Sequence, residues 1–125
     1  MLKQFDKNDI DIIMKIWKDN NHRFQGFIDD NYWISNYSDV KNSFLTNKVY
    51  TYTESSRILA YVAFDEKNNE LLNIQVMPEI LREGIGKILI EKIKQSTNTM
   101  HVKIYEKNIK IYHNSFALVY RWFNI

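Results

Sequence analysis

The chain has 125 residues, no cysteine and a formal net charge of +2, and 45% of its residues are hydrophobic. This length predicts one domain with one core, and the absence of cysteine excludes disulfides and thiolate chemistry. The near-neutral charge provides no basic patch for a phosphate backbone, so we expect no nucleic-acid partner. There is no signal-peptide segment and no apolar run near the roughly 20 residues that span a bilayer, so we expect a cytoplasmic protein without a membrane segment.

The first third of the chain predicts a short strand followed by two helices. Residues 2–5 form an apolar strand, and apolar side chains recur at helical spacing over residues 8–20. A loop over residues 22–27 precedes a second helix over about residues 29–45. Most apolar side chains of that helix should pack in the core, and one or two are candidates for lining a ligand pocket. They are Tyr32, Trp33, Tyr37, Val40 and Phe44.

Three strands follow these helices. Residues 49–53 alternate as in a half-buried strand, and residues 58–64 predict a more buried one. The short polar segment 54–57 between them predicts an antiparallel hairpin. A second polar turn at residues 65–69 leads to the apolar residues 71–76, which extend the meander by one strand.

Residues 71–94 combine that last strand with a glycine turn and a helix. Pro78 cannot donate to a strand ladder and ends the strand, and Gly84 and Gly86 form the turn. The following helix has one apolar face. The residues of that face are Ile85, Ile88, Leu89 and Ile93.

This glycine turn is a candidate anion cradle. The first amides of a helix have no intrahelical partner and lie at the positive end of its dipole, and glycine lets the backbone approach a ligand. Arg82 and Lys87 flank the turn and add positive charge. The alternative is that the turn only joins a strand to a helix. It is not a Walker loop, because the Gly-Lys-Ser/Thr ending is absent, and Leu89 stands where a dinucleotide-binding turn has its third glycine.

Residues 76–90, VMPEILREGIGKILI, resemble the acetyl-coenzyme A loop of the GNAT superfamily of N-acetyltransferases. The pattern of that loop is V-x-P-x-x-[Q/R]-x-x-G-x-[G/A], followed by an apolar helix. The matching residues are Val76, Pro78, Gly84 and Gly86. The departure is Leu81, which occupies the Gln/Arg position; the family's loop binds pyrophosphate mainly through backbone amides.

The resemblance implies a single GNAT domain over residues 1–125 with an α+β fold of the three-layer α/β type. Its mixed, mostly antiparallel sheet would carry helices on both faces and a parallel, splayed strand pair around a β-α-β crossover. The implied co-substrate is acetyl-coenzyme A, and the implied acceptor is an amine. The residues assigned to coenzyme binding are Ile74, Gln75, Val76, Leu81, Arg82, Glu83, Gly84, Ile85, Gly86, Lys87 and Asn108.

The crossover places a strand over residues 100–105 parallel to the strand over residues 71–76, because strand-helix-strand connections are almost always right-handed and parallel. In the GNAT family these strands splay and admit the pantetheine arm. Its amides would pair strand-wise with exposed peptide groups of Ile74, Gln75 and Val76. Ordinary sheet pairing is the alternative for these three residues.

The C-terminal part departs from the family pattern, in which N-x-x-A-x-x-F-Y-x-x-x-G-F follows the last of these strands. Asn108 matches the asparagine. Without a gap, Asn114 and Ser115 fall at the Phe-Tyr pair. With about three residues missing, Tyr112 is the family's tyrosine, and we assign it as the catalytic acid that protonates the leaving thiolate. A packing role for Tyr112 is the alternative.

These features favour an acetyl-coenzyme A-dependent N-acetyltransferase. The alternative is an inactive GNAT-like module that binds coenzyme A or a protein partner. The general base is not singled out; Glu79 and His22 are candidates, and each is equally explained as a solvated surface residue. The isolated histidines predict no metal site. The apolar tail that ends at Ile125 motivates a homodimer as a hypothesis.

Overall fold

A five-stranded sheet forms the centre of the computed structural model, which describes residues 1–24, 30–80, 83–97 and 100–102. Its strands lie side by side in chain order. β1 to β4 are antiparallel neighbours, and β5 pairs with β4 in parallel. The strands are β1 (Leu2–Gln4), β2 (Lys48–Glu54), β3 (Arg57–Asp65), β4 (Glu70–Val76) and β5 (His101–Val102).

Helices cover both faces of this sheet. The described helices are α1 (Ile10–Phe24), α2 (Asp30–Thr46) and α3 (Ile85–Lys94), with 3₁₀ turns at Lys7–Asp9 and Pro78–Ile80. The Asp6 side chain begins the first turn by accepting a hydrogen bond from the Asn8 amide at 2.9 Å. No helix in the described part of the chain is long and apolar enough to span a membrane.

α1 is longer than the sequence predicts. The sequence predicts a loop over residues 22–27, but residues 22–24 continue the helix, and residues 25–27 lie outside the described residues. Asn20, within this longer helix, is only 2% exposed and faces the sheet rather than solvent. There its side chain bonds to the end of β4.

Two apolar clusters fix the helices on the sheet. On one face α1 and α2 pack together, with Trp17 edge-on to Tyr37 (ring centroids 6.1 Å apart) and Phe44 edge-on to Tyr61 (5.4 Å). The opposite face packs α3 against β3 and β4. Tyr32 and Trp33 lie on α2, and a role for either in lining a ligand pocket stays a prediction.

The buried face of α3 differs from the predicted one by a small rotation. Ile88 was placed on the apolar face, but it is 38% exposed, whereas Ile90 is fully buried. The side chains that face the sheet are Ile85, Leu89, Ile90 and Ile93. Ile88 lies outside the buried stripe because an amphipathic helix packs only one face against a sheet, and Ile90 completes that face here.

The predicted hairpins and the parallel crossover are confirmed. Ser55 and Ser56 connect β2 to β3 with positive φ angles of 51° and 65°, the conformation of a tight two-residue hairpin turn. The parallel pairing of β4 with β5 involves Glu70 with His101 and Leu71 with Val102. The predicted strand over residues 100–105 is described only as far as residue 102, and the tail from residue 103 lies outside the described residues.

Candidate active site

The end of β4 presents peptide groups on the side away from β3. Met77 donates its amide hydrogen to the Leu59 carbonyl at 2.8 Å, and the register pairs Gln75 with Tyr61 and Val76 with Ala60. In an antiparallel ladder, alternate residues bond to the same neighbour. The N–H and C=O groups of Ile74 and Val76 therefore point away from β3, toward the side on which β5 pairs.

These outward peptide groups lie beyond the described pairing with β5. Within the described residues, that pairing is confined to Glu70 and Leu71, at the opposite end of β4. Among the described residues, the peptide groups of Ile74 and the Val76 N–H have no partner strand on this side, which is the arrangement that strand-wise addition of an extended ligand requires. The Val76 carbonyl accepts a hydrogen bond from Asn20 Nδ2 at 3.1 Å. That geometry is a prerequisite for the predicted strand-wise binding, which stays a prediction.

Gln75 differs from its two neighbours. Its register partner is Tyr61, so its own peptide groups point toward β3 and are not available for strand-wise pairing with a ligand. Its side chain is buried on the α1 face, where its Oε1 accepts a hydrogen bond from Asn20 Nδ2 at 3.1 Å. Any contact of Gln75 with a ligand would have to involve the side chain.

The turn before α3 has the conformation that glycine permits. Gly84 is the N-cap residue of α3 and has a left-handed backbone with φ of 82°. Apart from the two chain neighbours of Gly84, no atom of the described residues lies within 4 Å of a side-chain carbon built on this glycine, so the described part of the chain leaves that space open. The first intrahelical bond runs from the Ile88 amide to the Gly84 carbonyl at 3.2 Å, and the preceding amides lie at the positive end of the helix.

Charges of both signs surround this turn. Lys87, on the first turn of α3, and Glu83, directly before Gly84, are both exposed. The Tyr52 hydroxyl donates a hydrogen bond to Glu54 at 3.2 Å, which raises the pKa of Tyr52, and the negative charge of Glu83 adds a smaller rise. Glu83 therefore opposes, and Lys87 favours, an anion at the turn.

Glu79, a candidate base, is engaged in an exposed ion pair. It lies on the 3₁₀ turn after β4, and its Oε1 accepts a hydrogen bond from the Arg57 guanidinium at 2.9 Å. His22 is helical in α1, where a loop was predicted. Among the described residues, no three His, Cys, Asp or Glu side chains are grouped as metal ligands.

Comparison with known proteins identifies the architecture. No family model matches the chain. The peptidyl-lysine N-acetyltransferase YiaC of Escherichia coli strain K12 is 26% identical over 109 residues, which cover 86% of this chain and 74% of that protein. The PaiA N-acetyltransferase of Thermoplasma acidophilum, solved in complex with coenzyme A, is 18% identical with a TM-score of 0.75 over 97% of this chain and 86% of that one. This chain has the GNAT fold. The solution structure of apo YjaB from Escherichia coli is also similar to this fold, with a TM-score of 0.78 and 11% identity over 94% of this chain and 80% of that one.

The GNAT resemblance and the predicted fold class are thus confirmed. The structure brings two groups of predicted coenzyme-binding residues to one region of the GNAT fold: the end of β4 and, a short turn later, the start of α3. Leu81, Arg82, Asn108 and Tyr112 lie outside the described residues. The binding roles of all these residues stay predictions.

Asn20 is the residue of this region that the sequence prediction missed. It is bonded both to Gln75 and to the Val76 carbonyl, at 3.1 Å each. A signal was present, because Ile13, Ile16, Trp17 and Asn20 follow the i, i+3, i+4, i+7 spacing of one helix face. A polar residue at the end of an otherwise apolar stripe predicts a buried polar contact.

Proposed function

We propose that this protein is an N-acetyltransferase that uses acetyl-coenzyme A to acetylate a primary amine of a small molecule, peptide or protein. The observation that carries the proposal is the combination of outward peptide groups at Ile74 and Val76 with the open glycine turn at Gly84. One sequence relative is named for acetylation of peptidyl lysine, which makes a lysine side chain one candidate acceptor.

Both halves of the site fit the parts of coenzyme A. The amides at the start of α3 suit a pyrophosphate, since helix N-termini bind anions and the space in front of Gly84 is open. The outward N–H and C=O groups of Ile74 suit an amide of a pantetheine arm, and the Val76 N–H lies one step further along the same edge, toward the thioester end. Arg82 and Lys87 supply positive charge to the proposed phosphate site, and Asn108 completes the proposed set.

The proposed reaction forms a bond between the amine nitrogen and the acetyl carbon and breaks the bond from that carbon to sulfur. Holding the amine and thioester together supplies much of the rate enhancement. The Val76 N–H would donate to the carbonyl oxygen as negative charge develops on it. Tyr112 would donate its hydroxyl proton to the departing thiolate. The amine nitrogen loses a proton to solvent water and Tyr112 regains one from solvent, so that the products are the acetylated amine and coenzyme A. Glu79 is paired with Arg57 in an exposed ion pair.

Binding of acetyl-coenzyme A should raise the melting temperature. A ligand that binds only the folded state stabilises it by about 2.7 kcal/mol when its free concentration is a hundredfold above Kd. For a chain of this size, that corresponds to a shift of several degrees. The measurement is a thermal melt with and without about 1 mM acetyl-coenzyme A. The absence of any shift would contradict coenzyme binding, for the enzyme and for an inactive module alike.

A Tyr112→Phe variant should lose most of its turnover but keep its affinity for acetyl-coenzyme A. A positioned general acid typically contributes about 10²- to 10⁴-fold to the rate, and the substitution removes only the hydroxyl. The assay follows thiol release with a panel of primary amines. Tyr50→Phe is the matched control, because the Tyr50 ring lies on β2 beneath Lys92 (5.4 Å from Nζ to the ring centroid). An unchanged rate for Tyr112→Phe would remove Tyr112 as the acid.

A further inference from the structure

Asn20 on α1 is a buried amide that connects this helix to the end of β4. Its side-chain nitrogen donates to two acceptors, the Val76 carbonyl and Gln75 Oε1, at 3.1 Å each. Asn20 is 2% exposed and Gln75 is 8% exposed, so the bond between their side chains is buried, and the bond from Asn20 to the Val76 carbonyl is partly buried. Shielded hydrogen bonds hold their groups in place more firmly than exposed ones do, because water does not compete for the same atoms.

The orientation of this amide follows from chemistry. A backbone carbonyl can only accept a hydrogen bond, so the atom of Asn20 that faces Val76 must be the nitrogen. The same nitrogen also lies next to the Gln75 side chain, and because it is a donor, the Gln75 atom that it contacts must be the oxygen. The Asn20 oxygen is left buried, and it has no hydrogen-bond partner among the residues that the structure describes.

The result of these contacts is a fixed peptide group after Val76. Its carbonyl is held by Asn20 at 3.1 Å, and its N–H, which belongs to Met77, is held by the Leu59 carbonyl at 2.8 Å. A peptide unit bonded at both ends cannot rotate freely. The Val76 N–H belongs to the preceding peptide unit, whose carbonyl, that of Gln75, faces β3 in the ladder. The two units meet at the Val76 Cα, so holding the second unit restricts the backbone rotation that would turn the Val76 N–H away from its side of the strand.

We propose that Asn20 is a positioning residue for acetyl transfer, which fixes the Val76 backbone so that the Val76 N–H meets the thioester carbonyl oxygen. This inference rests on the proposed function, in which the Val76 N–H donates to that oxygen. A donor aimed before the ligand arrives needs no reorganisation during the reaction. Asn20 acts through Val76 and does not itself contact the reacting atoms.

The test compares affinities for acetyl-coenzyme A and coenzyme A by titration calorimetry without an amine. The two ligands differ in the acetyl group, so the ratio of their Kd values reports the contact with the acetyl carbonyl. Wild-type protein should bind acetyl-coenzyme A about fivefold more tightly, the effect of one hydrogen bond. Asn20→Leu has a similar branched shape, lacks the donor and removes the unsatisfied oxygen, and it should bring the ratio to about one.

Asn20→Asp provides a second variant if the leucine does not fold, since its carboxylate keeps the shape of the amide but lacks the N–H. Asn42→Asp, at an exposed position of α2, is the matched control and should keep the wild-type ratio. A purely structural role would weaken both ligands equally and leave the ratio at its wild-type value, which would overturn the inference. A wild-type ratio of one would overturn it too and leave coenzyme binding intact. If the wild-type protein binds neither ligand, the proposed function fails together with the inference.

Discussion

Gly84→Val should abolish detectable binding of coenzyme A. The proposed phosphate site consists of backbone amides at the start of α3, and a valine side chain on its N-cap residue would occupy space that the described residues leave open beside that site. Each hydrogen bond to a charged group contributes about 1.5–3 kcal/mol, so the loss of two such bonds weakens binding by at least about a hundredfold. Calorimetric titration of the variant with coenzyme A measures this loss.

The left-handed conformation of Gly84 requires a control, because a β-branched residue is strained at a φ of 82° whether or not a ligand binds there. Ser55→Val provides it. Ser55 has a positive φ of 51° and lies in the exposed turn between β2 and β3, so the variant should lose stability but keep coenzyme affinity. If the Gly84→Val variant is folded and still binds coenzyme A with wild-type affinity, the turn is not the anion site.

Gly84→Asn separates strain from obstruction more finely. Asparagine tolerates the left-handed conformation better than other residues with a side chain, so the helix start should persist. Its side chain would nevertheless occupy the space before α3 and compete for the amides there. We therefore expect a melting temperature near that of the wild type together with weaker coenzyme binding.

Local patterns were sufficient to predict the elements around this site. The alternation of residues 49–53, the glycines before α3 and the right-handed crossover rule each depend on residues that are close in sequence, and they led to the correct strand order and direction. The positive φ of Gly84 follows similarly from the residue type and its place before a helix.

Contacts between distant residues were not predictable in this way. The bonds from Asn20 to Gln75 and Val76 span 55 and 56 positions, and they connect the C-terminal half of α1 to the end of β4. Which peptide groups of β4 face outward also depends on the register with β3, and a shift of one residue would exchange Gln75 with Val76. The sequence predicted the strand correctly but treated the peptide groups of all three residues alike.

The helices on the two faces of β4 support different parts of the proposed site. On one face, α1 bonds to the strand end through Asn20 and fixes the Val76 peptide. On the other face, α3 packs through a buried apolar stripe and carries the amides that follow Gly84. A mutation on the first face should therefore change how the acetyl group is held, whereas a mutation on the second should change whether the phosphates are held at all.

Leu89→Ala should be the most destabilising of the substitutions considered. Leu89 is fully buried between α3 and the sheet, and truncation of a buried leucine costs about 2–5 kcal/mol. Domains have a total stability of only about 5–15 kcal/mol, so the variant should unfold at a much lower urea concentration. Equilibrium urea denaturation measures the change, and an unchanged slope would show that the unfolding reaction remains the same.

Ile88→Ala is the matched control on the same helix. Ile88 is 38% exposed, so its truncation removes less buried surface and should leave the midpoint near that of the wild type. Equal effects of the two substitutions would contradict the observed rotation of α3 and restore the predicted face that includes Ile88.

The same pair tests the site, because an α3 that is held less firmly positions its N-terminal amides less well. Under conditions where both variants are folded, coenzyme A should bind more weakly to Leu89→Ala than to Ile88→Ala.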